Sequence, residues 1–117
     1  MVVNVKVTGE LPTPVFEFDK YRVTVTEPDA EVLYQLDPQQ RLGLYFAGVV
    51  FPNSSQVPNP SILDDVISVK LQQEGLQLVV EDKNSQEGMI AFKLVLTGPE
   101  GEVYVTQDPE VINRPKW

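Results

Sequence analysis

The sequence contains no cysteine and no histidine. Without thiols there is no disulfide framework, no thiolate metal centre and no cysteine nucleophile. Without imidazole the side chain whose free pKa lies nearest neutrality is missing, and with it histidine-based triads and the commonest zinc ligand. Positive charge is also scarce: nine Lys and Arg stand against seventeen Asp and Glu, for a net charge of -8. Such a chain repels phosphate backbones and anionic lipid, so neither nucleic acid nor membrane is an expected partner. No apolar run reaches bilayer length, and Met1-Val2-Val3-Asn4-Val5-Lys6 lacks a basic leader region, so a cytoplasmic location is expected. Any chemistry must come from carboxylates, hydroxyls and amides.

What is present is period-two alternation. Val3, Val5 and Val7 alternate with polar residues, as do Tyr21, Val23 and Val25; Ile67, Val69 and Leu71; Leu76, Leu78 and Val80; Ile90, Phe92, Leu94 and Leu96; and Val103 and Val105. Helical spacing is sustained nowhere. Breakers separate the runs at Glu10-Leu11-Pro12-Thr13-Pro14, Glu27-Pro28-Asp29, Asp82-Lys83-Asn84-Ser85 and the hairpin-like Gly98-Pro99-Glu100-Gly101. Turn signals about every ten residues predict an all-β, two-sheet antiparallel β-sandwich, a single domain over residues 1–117. The more continuously apolar Leu42–Phe51 segment reads as a central strand, with Gly43 and Gly48 marking a bulge or close backbone approach. The Pro-rich 52–61 stretch reads as a long loop, and Ile62–Val66 as a helical turn capped by Ser61 or the entry to a strand.

Several acidic groups invite a metal test: Asp64-Asp65, Glu81-Asp82 with Glu87, and Glu100 with Glu102. None has EF-hand spacing, so no metal and no cofactor are expected, calcium bridging two loops being the one option left open. Ser54, Ser55, Ser61, Ser68 and Ser85 stand in no nucleophile elbow and have no histidine base.

Asp-Pro occurs twice, at Asp37-Pro38 and Asp108-Pro109. The dipeptide is ordinarily a turn or strand terminator. Its bond also has chemistry of its own: the Asp side chain can attack its own main-chain carbonyl, close a five-membered anhydride and expel the proline nitrogen. Proline has no N–H, so the competing succinimide cannot form. Its tertiary amide is also more readily protonated and twisted than a secondary one. A fold that breaks this bond must supply geometry, a proton for the departing nitrogen and hydrogen bonds to the oxyanion. Glu110 and Glu102 are near in sequence as proton donors.

The segment Val103-Tyr104-Val105-Thr106-Gln107-Asp108-Pro109-Glu110-Val111-Ile112-Asn113-Arg114-Pro115, preceded by Thr97-Gly98-Pro99-Glu100-Gly101, resembles the C-terminal signature of the bacterial DP-EP family, small β-sandwich proteins. The resemblance extends to the strand-rich N-terminal part with Glu27-Pro28-Asp29. It implies a self-cleaving, self-assembling endopeptidase that hydrolyses Asp108-Pro109, with Asp108 as nucleophile and Pro109 as leaving residue; Glu110 is carried beside them as the adjacent candidate acid. A likeness to bacterial inclusion-body proteins, which also end a β-sandwich in an Asp-Pro strand, implies assembly instead. Cleavage would leave residues 109–117 as a nine-residue peptide, with Val111, Ile112 and Trp117 packing as an edge strand. The expected partner is then the protein itself, through edge-strand pairing or exchange of that peptide.

Overall fold

In a computed structural model, residues 1–52, 60–107 and 109–116 are described, and among them the regular structure is eleven strands and two short 3₁₀ turns. The strands are β1 (Val2–Glu10), β2 (Thr13–Phe18), β3 (Arg22–Val25), β4 (Ala30–Leu36), β5 (Tyr45–Val50), β6 (Val66–Gln72), β7 (Gln77–Asp82), β8 (Gly88–Ala91), β9 (Lys93–Thr97), β10 (Val103–Val105) and β11 (Glu110–Asn113). Alternation does what it predicts in β1, where Val3, Val5 and Val7 are buried between exposed neighbours. No helix is long and apolar enough to cross a membrane among the described residues.

Five strands form one sheet in the order β2-β1-β4-β7-β6, and two three-stranded ladders, β10-β9-β5 and β3-β11-β8, supply the rest. Their inner faces meet in one core containing Val5, Tyr34, Leu78, Leu94, Ile90 and Val111. The fold is therefore all-β and sandwich-like, but it is not wholly antiparallel. β1 runs parallel to β4, and β3 runs parallel to β11. Both parallel pairs arise because the chain leaves one sheet for the other between partners: β3 intervenes between the β1-β2 hairpin and β4, and most of the chain intervenes between β3 and β11.

The second layer is split by a break in its ladders at Phe92. Ile90, Phe92, Leu94 and Leu96 form one unbroken alternation, all buried, yet Ile90 belongs to β8 and pairs with β11, while Leu94 belongs to β9 and pairs with β5. Phe92 sits at this corner, its ring edge-on to Tyr34 at 5.9 Å and tilted against Phe51 at 6.0 Å.

Four local expectations are corrected and one, the bulge at Gly48, is met. β5 is an edge of its ladder and not a central strand; its apolar run continues because Phe51, beyond the strand end, packs into the core beside Phe92. The bulge expected at Gly48 is present, as a register shift between Phe46 and Gly48 against β9. In β10 the faces are inverted: Tyr104, opposite buried Leu96, packs against the core, while Val103 and Val105 are 60% and 45% exposed. A three-residue strand allows either phase, and the larger ring takes the inside. In β6 a bulge between Val66 and Ser68 and its position at the sheet edge leave Ile67 and Leu71 facing outward. The helical turn after the loop exists as a 3₁₀ turn, Pro60–Asp65, but Ser61 lies within it and donates to Gln86 Oε1 at 2.9 Å.

Candidate functional site

Asp108 lies outside the described residues, as do residues 53–59 of the predicted loop and Trp117. The chain on either side of Asp108 is anchored at the corner between the two three-stranded ladders. On the upstream side, Thr106 is buried and exchanges bonds with Leu94, its N–H donating to the Leu94 carbonyl and its Oγ1 accepting from the Leu94 N–H, each at 2.9 Å. On the downstream side Pro109 is buried and its carbonyl accepts from Phe92 N–H at 3.2 Å, while Glu110 N–H donates to the Tyr21 carbonyl at 2.9 Å. Pro109 has no N–H to give a ladder, so pairing starts one residue later, at Glu110.

A cleft of about 260 Å³ opens beside this corner, lined by Phe51, Phe92, Lys93, Gln107, Pro109 and Glu110 among others. Its walls are mostly apolar, with one ammonium and one carboxylate at the rim. Lys93 was not singled out by the sequence; it becomes visible only because β9 starts where β11 starts. Glu110 faces Arg22 across the β11-β3 ladder, its Oε2 accepting from the Arg22 Nε at 2.9 Å. Glu102 lies at the hairpin end of β10, the end away from Gln107, where its Oε1 accepts from Glu100 N–H at 3.3 Å.

The second Asp-Pro is built differently. The Asp37 carboxylate accepts from Gln39 N–H at 2.9 Å, and the Asp37 carbonyl accepts from Gln40 N–H at 3.2 Å, closing a turn over Pro38.

β11 is the central strand of its ladder, which corrects the expectation that the last residues form an edge. Glu110–Asn113 pair with Arg22–Val25 on one side and with Ala91–Gly88 on the other. Val111 is buried, Arg114 N–H donates to the Val25 carbonyl at 2.9 Å, and Lys116 pairs with Glu27 at 3.1 Å.

The end of β11 enters a buried polar cluster. Asn113 Nδ2 donates to Asp65 Oδ2 at 3.1 Å and to Asp82 Oδ1 at 3.2 Å. Asp65 Oδ2 also accepts from the N–H groups of Ser85 (2.8 Å) and Gln86 (2.9 Å), and its Oδ1 accepts from Ser85 Oγ. Asp82 Oδ1 accepts from Asn84 N–H at 2.9 Å, and Asn84 Nδ2 donates to the carbonyls of Val25 and Glu27. All four side chains are at most 1% exposed. Burial pushes the Asp82 carboxyl above its ordinary value, the neighbouring Asp65 adding to the rise while hydrogen bonds from Asn84 and Asn113 oppose it. Of the acidic groups marked in the sequence, Asp65 and Asp82 thus come together, whereas Glu81 points to the other face of β7 and pairs with Lys70 at 2.8 Å. Among the described residues no three of His, Cys, Asp or Glu come together as a metal-binding group.

Comparison with curated proteins returns no match. The family model described as the DP-EP family matches residues 1–115, and a chain matched over that span belongs to the DP-EP family.

Proposed function

We propose that the protein cleaves its own Asp108–Pro109 bond and keeps the product. In this reading the Asp108 carboxylate attacks its own carbonyl carbon. A C–O bond forms, the C–N bond to Pro109 breaks, the nitrogen takes up a proton, and water then opens the anhydride to leave a free aspartyl C-terminus. Membership of the DP-EP family supports it. The observation that carries it is the anchoring of the chain on both sides of the link, Thr106 to β9 and Pro109 to Phe92. Anchored flanks narrow the conformations open to the link between them, which favours an intramolecular attack. Glu110 is the candidate proton donor nearest in sequence, and to act as one it must first give up its ion pair with Arg22. Lys93, on the same cleft, is placed to favour negative charge there.

Product retention follows from β11 being held on both sides. Intact mass spectrometry over time should show two species, residues 1–108 and 109–117, that stay together in native gel filtration and separate in denaturant. Asp108→Ala should remain one species, and equal loss of the last nine residues from that variant would assign the cut to a contaminating protease. Asp37-Pro38 should stay whole, its carboxylate being tied to Gln39.

A second reading, a non-enzymatic self-assembly module, draws on the exposed Val103 and Val105 of edge strand β10 and Val15 of edge strand β2. Sedimentation of the Asp108→Ala protein separates the two: assembly that persists in it does not require hydrolysis.

A further inference from the structure

The buried cluster at the end of β11 has an electrostatic imbalance. Two carboxylates and two carboxamides, from the Pro60–Asp65 turn, the end of β7, the turn after it and the end of β11, are closed off from water. The hydrogen bonds given to the two carboxylates come from amides and one hydroxyl; among the described residues no Lys or Arg joins them. Asp65 is well provided for, with four donors on its two oxygens. Three oxygens are not: Asp82 Oδ2, Asn84 Oδ1 and Asn113 Oδ1 are buried with no hydrogen-bond partner among the described residues.

All three are acceptors, and they belong to residues that meet at Asp82 Oδ1, Asn84 through its backbone N–H and Asn113 through its Nδ2. Buried acceptors without partners are rare, and three in one cluster call for a donor or a cation among them. A single proton on Asp82 Oδ2 satisfies that atom and at most one amide oxygen, leaving the other orphaned. A cation bound by these oxygens would offset both carboxylates at once.

We propose that Asp65, Asp82, Asn84 and Asn113 form a calcium-binding site that clamps the C-terminal strand to β7. The donors are oxygens only, which selects a hard cation over zinc or copper. Calcium tolerates irregular coordination by carboxylates and amide or backbone carbonyls, whereas magnesium keeps several waters that a site this enclosed has little room for.

The test uses the full chain, stripped with chelator and exchanged into metal-free buffer. Millimolar calcium should raise the melting temperature by several degrees, and calorimetric titration should give one site per chain. Magnesium should give a clearly smaller shift. Asp82→Asn keeps the shape of the side chain and should abolish the calcium response; should that variant not fold, Asn84→Ala takes its place. The proposal is overturned if the stripped protein melts at the same temperature with and without calcium. It is overturned equally if the variant responds as the parent does, which would mark diffuse binding to an acidic surface, or if magnesium matches calcium.

Discussion

Replacing Asn113 with Ala, in metal-free buffer, removes one amide group that touches two buried carboxylates, and its effect can be built up atom by atom. A hydrogen bond to a charged group contributes about 1.5–3 kcal/mol. At Asp65 the loss falls at the low end, because Ser85 N–H, Gln86 N–H and Ser85 Oγ remain. At Asp82 it falls at the high end, because only Asn84 N–H remains on a carboxyl with no exposure to water. The sum is about 3–5 kcal/mol, and at roughly 4 °C per kcal/mol for a domain of this size the melting temperature should fall by about 12–20 °C. Urea unfolding followed by circular dichroism measures it, with an unchanged m-value confirming that stability and not the unfolded state was altered. A double-mutant cycle with Asp82→Asn should return a coupling of at least about 1 kcal/mol, since the second partner is then neutral. A loss below about 1 kcal/mol for Asn113→Ala, or no coupling, would refute the idea that this amide holds the C-terminal strand in place.

Three further outcomes follow from other groups. The folded-state pKa of Asp82 is above its ordinary value of 3.8, so the folded chain binds a proton more tightly than the unfolded one. Without metal, this group's contribution to stability is therefore fully present below pH 3.8 and is lost as pH rises through the raised folded value; Asp82→Asn should flatten that part of a stability-against-pH curve, and an unchanged curve would remove Asp82 as its source. Tyr34 is fully buried, its hydroxyl has no partner among the described residues, and desolvation raises its pKa far above the usual phenol value. Tyr34→Phe keeps the edge contact with Phe92 and should leave stability unchanged or raise it by up to about 1 kcal/mol in chemical denaturation, a loss of more than that pointing to a partner for the hydroxyl. At Gly75, φ is +93° and an added Cβ would lie 3.1 Å from Tyr45 Cβ and 3.2 Å from the Phe46 carbonyl oxygen, so Gly75→Ala should destabilise by about 1–3 kcal/mol on thermal melting.

β1 and β9 were legible because burial of alternate residues is written directly into them, whereas β7 buries the consecutive Leu78, Val79 and Val80 and β2 and β4 were not foreseen. Legibility ended where pattern and pairing part company. The continuous Ile90-to-Leu96 alternation gives no sign that the chain changes ladders at Phe92, since the side chains keep the same rhythm across the corner. β10 was too short to fix its own phase. Parallel pairing of β3 with β11 spans nearly ninety residues and leaves no local trace. The polar cluster was half visible: Asp65 and Asp82 stood out as acids, but Asn84 and Asn113 look like ordinary turn and strand-end residues until the backbone gathers them. For the Asp108–Pro109 link, the chemistry could be read from the dipeptide, whereas the anchors at Leu94, Phe92 and Tyr21 lie on three other segments.

The middle position of β11 also sets an order of construction. Until residues 110–113 are in place, β3 and β8 each present a row of unsatisfied N–H and C=O groups to one another across a gap one strand wide. The N-terminal hairpin can form early, but this ladder can close only when the far end of the chain arrives. A nascent or shortened polypeptide ending before that point would carry two adjacent sticky edges, open to any extended segment that matches Glu-Val-Ile-Asn in length and facing.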